Sequence, residues 1–158
     1  MTDIVDTATR SRMMAGIQGK NTRPELLLRS YLHRAGFRFR LHKKGLPGKP
    51  DLVLARYRTV IFVHGCYWHR HPRCRLAYQP KTRVDFWKKK FAENVERARH
   101  QLAELINVGW RVIVVWECGL RSVQKGEKSL DWLIDELRSS LPDEGILIEW
   151  PVIGSEGS

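Results

Sequence analysis

The chain lacks any apolar run long enough to span a bilayer, and its opening residues, MTDIVDTATRSRMM, have no apolar core of the kind an export signal needs. A cytoplasmic protein is expected. Cysteine is scarce: Cys66, Cys74 and Cys118 are the only three, an odd number that argues against a disulfide framework and leaves metal ligation or buried thiols. Internal repeats, low-complexity tracts and linkers are also missing, and 158 residues suffice for one domain with a real core but not for two of ordinary size. Acid is in short supply. Asp and Glu number 17 against 28 Lys and Arg, which gives a net charge of +11 and a pI near 10.0. So strong a positive field favours a polyanionic partner. No basic amphipathic segment stands apart to suggest a membrane surface, so nucleic acid is the favoured one.

What is present reads as alternating helices and strands. Residues 1–20 are polar, carry Arg10 and Arg12 and are expected to form an arm or short helix outside the core, with residues 21–158 as a single domain. A helix opens at NTRPELLLRSYLHRAG, where Thr22 and Glu25 have the capping-box spacing, Pro24 is tolerated in the first turn and Gly36 stops the helix. Leu27, Leu28, Tyr31 and Leu32 share its apolar face. FRFRL alternates like a half-buried strand, and HKKGLPGKP is a loop. Strands follow at 51–55 and 59–64, joined by a tight turn. After a polar segment, 65–83, a long helix carries Val84, Phe91, Val95, Ala98, Leu102 and Leu105 at helical spacing and ends at Gly109. WRVIVVW is a buried strand, SLDWLIDELRSSL an amphipathic helix and GILIEWPVI a last short strand. The order defines an α/β domain with helices flanking a sheet.

The stretch HGCYWHRHPRC, residues 64–74, concentrates three histidines and two cysteines. Cys66, His71 and Cys74 are near neighbours, and Cys118 closes the strand 110–116 far along the chain. This pattern can complete a tetrahedral Cys₃His zinc site that pins the polar loop to the sheet. A buried thiol and a loop histidine would explain any one of these residues, but less well all three cysteines together. His64 and His69 remain unspent beside a candidate acid, Asp51, at the start of a strand. A nuclease that uses Mg²⁺ needs a carboxylate for the cation and a group to take a proton from the attacking water. Asp51 converges on Val63 and His64 if the two strands form a hairpin. Glu25 is either a capping residue or a second acid at the same place.

Taken in order, TRSRMMAGI, LPGKPDLVL, IFVHGCYWHRH, FWKKKFAENVERAR and GWRVIVVWECGLR make the chain resemble the very short patch repair mismatch endonucleases over most of its length. The resemblance implies a restriction-endonuclease-like fold with a central mixed sheet and a structural zinc. It also implies a Mg²⁺-dependent nick on the 5′ side of the thymine in a T:G mismatch, left by deamination of 5-methylcytosine. Asp51 would hold Mg²⁺, helped by the main-chain carbonyl of Val63, with His69 as general base or orienter and His64 and Glu25 in support. Cys66, His71, Cys74 and Cys118 match the family's zinc ligands. Tyr67, Trp68 and Trp87 match aromatics that wedge into the duplex, although Trp87 could equally pack in the core. The implied setting is a monomer on double-stranded DNA near the bacterial nucleoid, with mismatch-repair proteins as partners. One departure stands out: the family's Glu-Arg-Asp on the long helix, whose aspartate pairs with the catalytic histidine, is Glu96-Arg97-Ala98 here. Either Glu96 substitutes or His69 is a poorer base. Two other readings fit the same residues. One is a homing or restriction-type nuclease of the same fold without mismatch preference. The other is a zinc-stapled DNA-binding protein with weakened catalysis.

Overall fold

A computed structural model of the chain describes residues 22–140 and 144–152. The arm expected over 1–20 lies outside these residues. Helix α1 (Arg23–Arg34) starts where Thr22 Oγ1 accepts the Glu25 N–H at 3.4 Å and buries Glu25, Leu28 and Leu32. Strand β1 is only Arg40–Leu41, shorter than the alternation of FRFRL suggests. Its partner β2 (Leu52–Leu54) gives way at once to a 3₁₀ turn, Ala55–Tyr57, so residues 37 and 38 face that turn and have no ladder to join. Phe37 packs into the core instead. Strand β3 (Thr59–His64) returns antiparallel to β2, as the hairpin reading requires.

The long helix α2 (Val84–Asn107) crosses back so that β4 (Arg111–Trp116) lies parallel to β3. Of its expected apolar face, Phe91 and Leu105 are buried while Val84 and Val95 remain exposed. The sequence reading placed no element directly after β4. The chain in fact enters helix α3 (Glu117–Gln124), and Cys118 sits in its first turn rather than at the strand end. The helix is only eight residues long and contains Gly119, a poor helix former. Its glycine answers a packing need, because a Cβ there would lie 2.5 Å from the Trp150 ring. Helix α4 (Asp131–Arg138) and strand β5 (Ile146–Trp150), parallel to β4, complete the order.

The five strands form one mixed sheet in sequential order β1-β2-β3-β4-β5. Successive side chains of a strand point to opposite faces. Ile61, Ile113 and Val115 therefore join Leu28, Leu32, Leu120, Leu133 and Leu137 of α1, α3 and α4 on one face. Val60, Phe62, Val112 and Val114 join Leu105 of α2, Cys66 and Trp116 on the other. Fully burying each of these aliphatic side chains contributes roughly 1.5–3 kcal/mol, so the buried pair β3–β4 is the firmest part of the fold. Arg111, 1% exposed, ties β4 to its neighbours by donating to Thr59 Oγ1 at 2.8 Å and to the Glu136 carbonyl at 2.6 Å. The sheet, helices on both faces and mixed strand order fit a restriction-endonuclease-like fold. No helix among the described residues is long and apolar enough to cross a membrane.

Candidate active site

The hairpin β2–β3 sets the site's geometry. Asp51 immediately precedes β2, and its Oδ2 accepts the Val63 main-chain N–H at 2.7 Å across the pair. Glu25 enters from α1 and is 2% exposed. Its main-chain N–H supplies one half of a capping box, while its carboxylate Oε2 accepts from Arg29 and lies 2.8 Å from His42 Nε2. Burial raises the Asp51 carboxyl to about 7, opposed by the Val63 N–H and reinforced by the neighbouring Glu25. Two carboxylates held so close in a half-buried place attract a cation, and the donor atoms of Glu25, His42 and Asp51 all lie within 4.8 Å of one another.

At the end of β3, His64 stacks face to face on His69, with centroids 3.9 Å apart and planes 5° from parallel. Burial lowers both rings, His64 well below its ordinary value and His69 to about 4, so both are neutral at pH 7. The buried Nδ1 of His69 has no hydrogen-bond partner among the described residues. Ala98 lines the same cleft but carries no acceptor, and Glu96, the candidate substitute, instead pairs with Arg99 at 2.8 Å on the exposed face of α2.

Cys66, His71, Cys74 and Cys118 converge, with ligand atoms within 4.8 Å of one another. His71 Nδ1 lies 3.7 Å from Cys66 Sγ and 3.4 Å from Cys118 Sγ. A tetrahedral ion with ordinary zinc–sulfur and zinc–nitrogen bonds separates such donors by about 3.5 Å, so the cluster fits a metal of that kind. The Cys118 thiol is drawn down to about 6, chiefly by its hydrogen bond with Cys66 and also by His71, while Cys66 is pushed up by the same pairing and by burial. The cluster therefore favours a thiolate, the form that ligates metals. His71 is backed by Trp116, stacked at 4.2 Å.

Above these groups, one cleft is lined by Glu25, Asp51, Val63 and His69 together with Tyr67, Trp68, Tyr78 and Trp87. Tyr67 contacts Trp68 edge-on at 5.1 Å, Tyr78 at 4.8 Å and Phe91 at 5.2 Å, and Trp87 stacks on Phe91 at 5.6 Å. Trp68 is only 8% exposed, whereas Tyr78 is 63% exposed. Arg70 fastens this wall, donating to the carbonyls of Tyr67, Ala77 and Tyr78 with its guanidinium 4.0 Å over Phe91. The structure thus gathers Asp51, Glu25, Val63, His64 and His69 into one place, with the aromatics alongside and the Cys/His cluster beneath. Sequence reasoning missed His42, Tyr78, Arg70 and Glu117, whose Oε1 accepts the Cys66 N–H at 3.3 Å. Extending the β1–β2 register one step beyond Leu41 and Leu52 would have set His42 opposite Asp51. Nothing in sequence marked the other three.

A mixed sheet with carboxylates and neutral imidazoles at one strand end, beside an aromatic cleft on a basic chain, fits a nuclease of restriction-endonuclease-like fold. Comparison with known proteins agrees. Residues 2–75 match the family described as DNA mismatch endonuclease Vsr. The chain is 46% identical over 135 residues to Type II nicking enzyme V.XorIIP of Xanthomonas oryzae, covering 85% of this chain and 98% of that one. It is 43% identical over 149 residues to DNA mismatch endonuclease Vsr of Escherichia coli, covering 90% and 95%. A third relative, Type II nicking enzyme V.NmeAIP of Neisseria meningitidis, is 43% identical over 141 residues, covering 89% and 100%. The chain belongs to the Vsr family of DNA mismatch endonucleases, and it is a strand-nicking DNA endonuclease.

Proposed function

We propose that the protein nicks one strand of duplex DNA on the 5′ side of the thymine in a T:G mismatch, with Mg²⁺ at Asp51 and a structural Zn²⁺ on Cys66, His71, Cys74 and Cys118. The observation that carries this reading is the shared cleft, in which the carboxylates and His69 lie beside Tyr67, Trp68 and Trp87. A cation bound there polarises the phosphate and makes the attacking water more acidic. The Val63 N–H holds Asp51 Oδ2, which leaves Oδ1 as the donor toward the cation, and the Val63 carbonyl is the expected second donor. Neutral His69 accepts the proton of the attacking water, and the stacked His64 ring fixes its plane. Tyr67 and Trp87 offer flat apolar faces to replace stacking lost when the duplex opens at the mismatch, with the largely buried Trp68 packed against both of them. The zinc site holds the loop carrying Tyr67, Trp68 and His69 against α3. Incubating the protein with T:G and T:A duplexes, with and without Mg²⁺, tests the proposal: nicking confined to T:G with Mg²⁺ is expected, and equal nicking of both duplexes would overturn the mismatch reading.

One observation favours a second reading, of the same enzyme with weakened catalysis. Among the described residues no acceptor meets the buried His69 Nδ1, where an orienting carboxylate would fix the tautomer and stabilise the protonated ring. A single-turnover rate that stays low at saturating DNA and Mg²⁺ is the expected mark of that reading.

A further inference from the structure

His42 occupies the first position after β1, and its main-chain N–H donates to the Asp51 carbonyl at 3.1 Å. Its side chain is 12% exposed and turns inward, placing Nε2 2.8 Å from Glu25 Oε2 and 3.8 Å from Asp51 Oδ1. The three donors come from three parts of the chain, α1, the end of β1 and the start of β2, and converge within 4.8 Å. The plain alternative is a hydrogen bond that serves only to hold Glu25. Arg29 already donates to the same Glu25 oxygen, however, so that carboxylate has a cationic partner without His42. Nε2 also lies within reach of both carboxylates, as a ligand of an ion bound among them would.

We propose that His42 is a protein ligand of the catalytic cation, giving the centre one nitrogen beside two carboxylates and raising its affinity for Mn²⁺ and similar borderline ions by more than its affinity for Mg²⁺. The inference rests on the reading of Asp51 as the metal-binding carboxylate. Magnesium favours oxygen donors in a near-ideal octahedron and keeps much of its water, whereas imidazole suits the later divalent ions, whose affinity for nitrogen is higher. A nitrogen in the first coordination sphere therefore changes which ion the centre selects, with no change in the carboxylates.

The test uses the zinc-loaded full chain with Mn²⁺ as the probe. Pulsed electron paramagnetic resonance of bound Mn²⁺ should show coupling to a directly bonded imidazole nitrogen in the unaltered protein and lose it in His42→Asn. Asparagine tolerates the left-handed backbone at this position, where φ is +46°, and retained zinc content checks the fold. By competition titration, His42→Asn should weaken Mn²⁺ binding by about tenfold or more, with a smaller loss for Mg²⁺. Mn²⁺ bound in an Asp51-dependent manner without nitrogen coupling would overturn the ligand role and leave the metal centre standing, as would an unchanged Mn²⁺-to-Mg²⁺ affinity ratio in His42→Asn. Mn²⁺ binding indifferent to Asp51→Asn would overturn the centre itself, and His42 with it.

Discussion

At the scale of single residues, the chemistry turns on how burial sets charge. His69, held at about 4 by burial, is neutral at pH 7, and as the proposed base it would take little of the proton in the transition state. A carboxylate at position 98 would stabilise the imidazolium and raise that value. Ala98→Asp is expected to speed single-turnover nicking on the order of tenfold, while His69→Ala slows it by about 10²-fold or more. An unchanged rate in a folded Ala98→Asp protein would mean that no orienting acid is needed. Asp51 presents the opposite case. Its folded-state carboxyl is raised to about 7 by burial and by Glu25, so the native state holds that proton more tightly than the unfolded chain does. Its ionisation thus costs nothing below about pH 4 and destabilises progressively as pH rises to about 7. In Mg²⁺-free buffer, Asp51→Asn should raise the melting temperature at pH 8, with the gain vanishing toward pH 4, and should abolish nicking at every pH. Thermal melts across that range check the sign, and a variant less stable than the parent at pH 8 would refute it.

Elements hold these residues in place through two close contacts, and both end on α3. Cys118, in its first turn, joins the cluster beside Cys66 and His71, and its main-chain N–H donates to Cys66 Sγ at 3.3 Å. If the cluster holds the proposed zinc, Cys118→Ser should lower the zinc content measured by elemental analysis and loosen the 65–83 loop to proteolysis, because a folded metal-binding loop draws its stability from the ion. Gly119 faces Trp150 of β5 so closely that no side chain fits without movement. Gly119→Ala is expected to cost about 1–3 kcal/mol in denaturant unfolding, and a neutral result would show that the Trp150 ring yields. These contacts also mark where the sequence was readable. The buried strands β3 and β4 and the helix α2 announce themselves by apolar runs and 3.6-residue spacing, and the hairpin that joins Asp51 to Val63 follows from its tight turn. The spacing of Cys66, His71 and Cys74 is local and legible. Helix α3 is not, since eight residues span barely two turns and its glycine is chosen by a neighbour far along the chain. His42 was hidden for a related reason: its meaning comes from cross-strand register rather than from any motif around it.

For the whole molecule, the question is how an 18.5 kDa chain of net charge +11 distinguishes one site on a polyanion that attracts it everywhere. Two contributions separate by their response to salt. Phosphate contacts release counterions, so binding to any duplex weakens steeply as salt rises, by roughly 10³–10⁵ between 50 and 200 mM for a protein making several such contacts. Arg97 lines the cleft and is exposed there. Arg97→Ala should therefore weaken T:G and T:A duplexes alike and reduce the salt slope by about one. The proposed aromatic wedge would act differently, since stacking exchanges apolar contact for apolar contact and releases no counterions. Tyr78 is exposed and half-buried Tyr67 lies against it, while Trp68 is largely buried. Tyr67→Ala combined with Tyr78→Ala should lower T:G affinity by about 1–3 kcal/mol at every salt concentration, with the slope unchanged and T:A affinity little affected. Plotting the logarithm of affinity against that of salt for both duplexes makes the separation visible, as a change of slope for the arginine and a parallel offset for the tyrosines. A double tyrosine variant that weakened both duplexes equally would assign the wall to general DNA contact and remove it from mismatch recognition. Parallel lines for T:G and T:A in the unaltered protein, offset from each other by the wall's contribution, are what this division of labour requires.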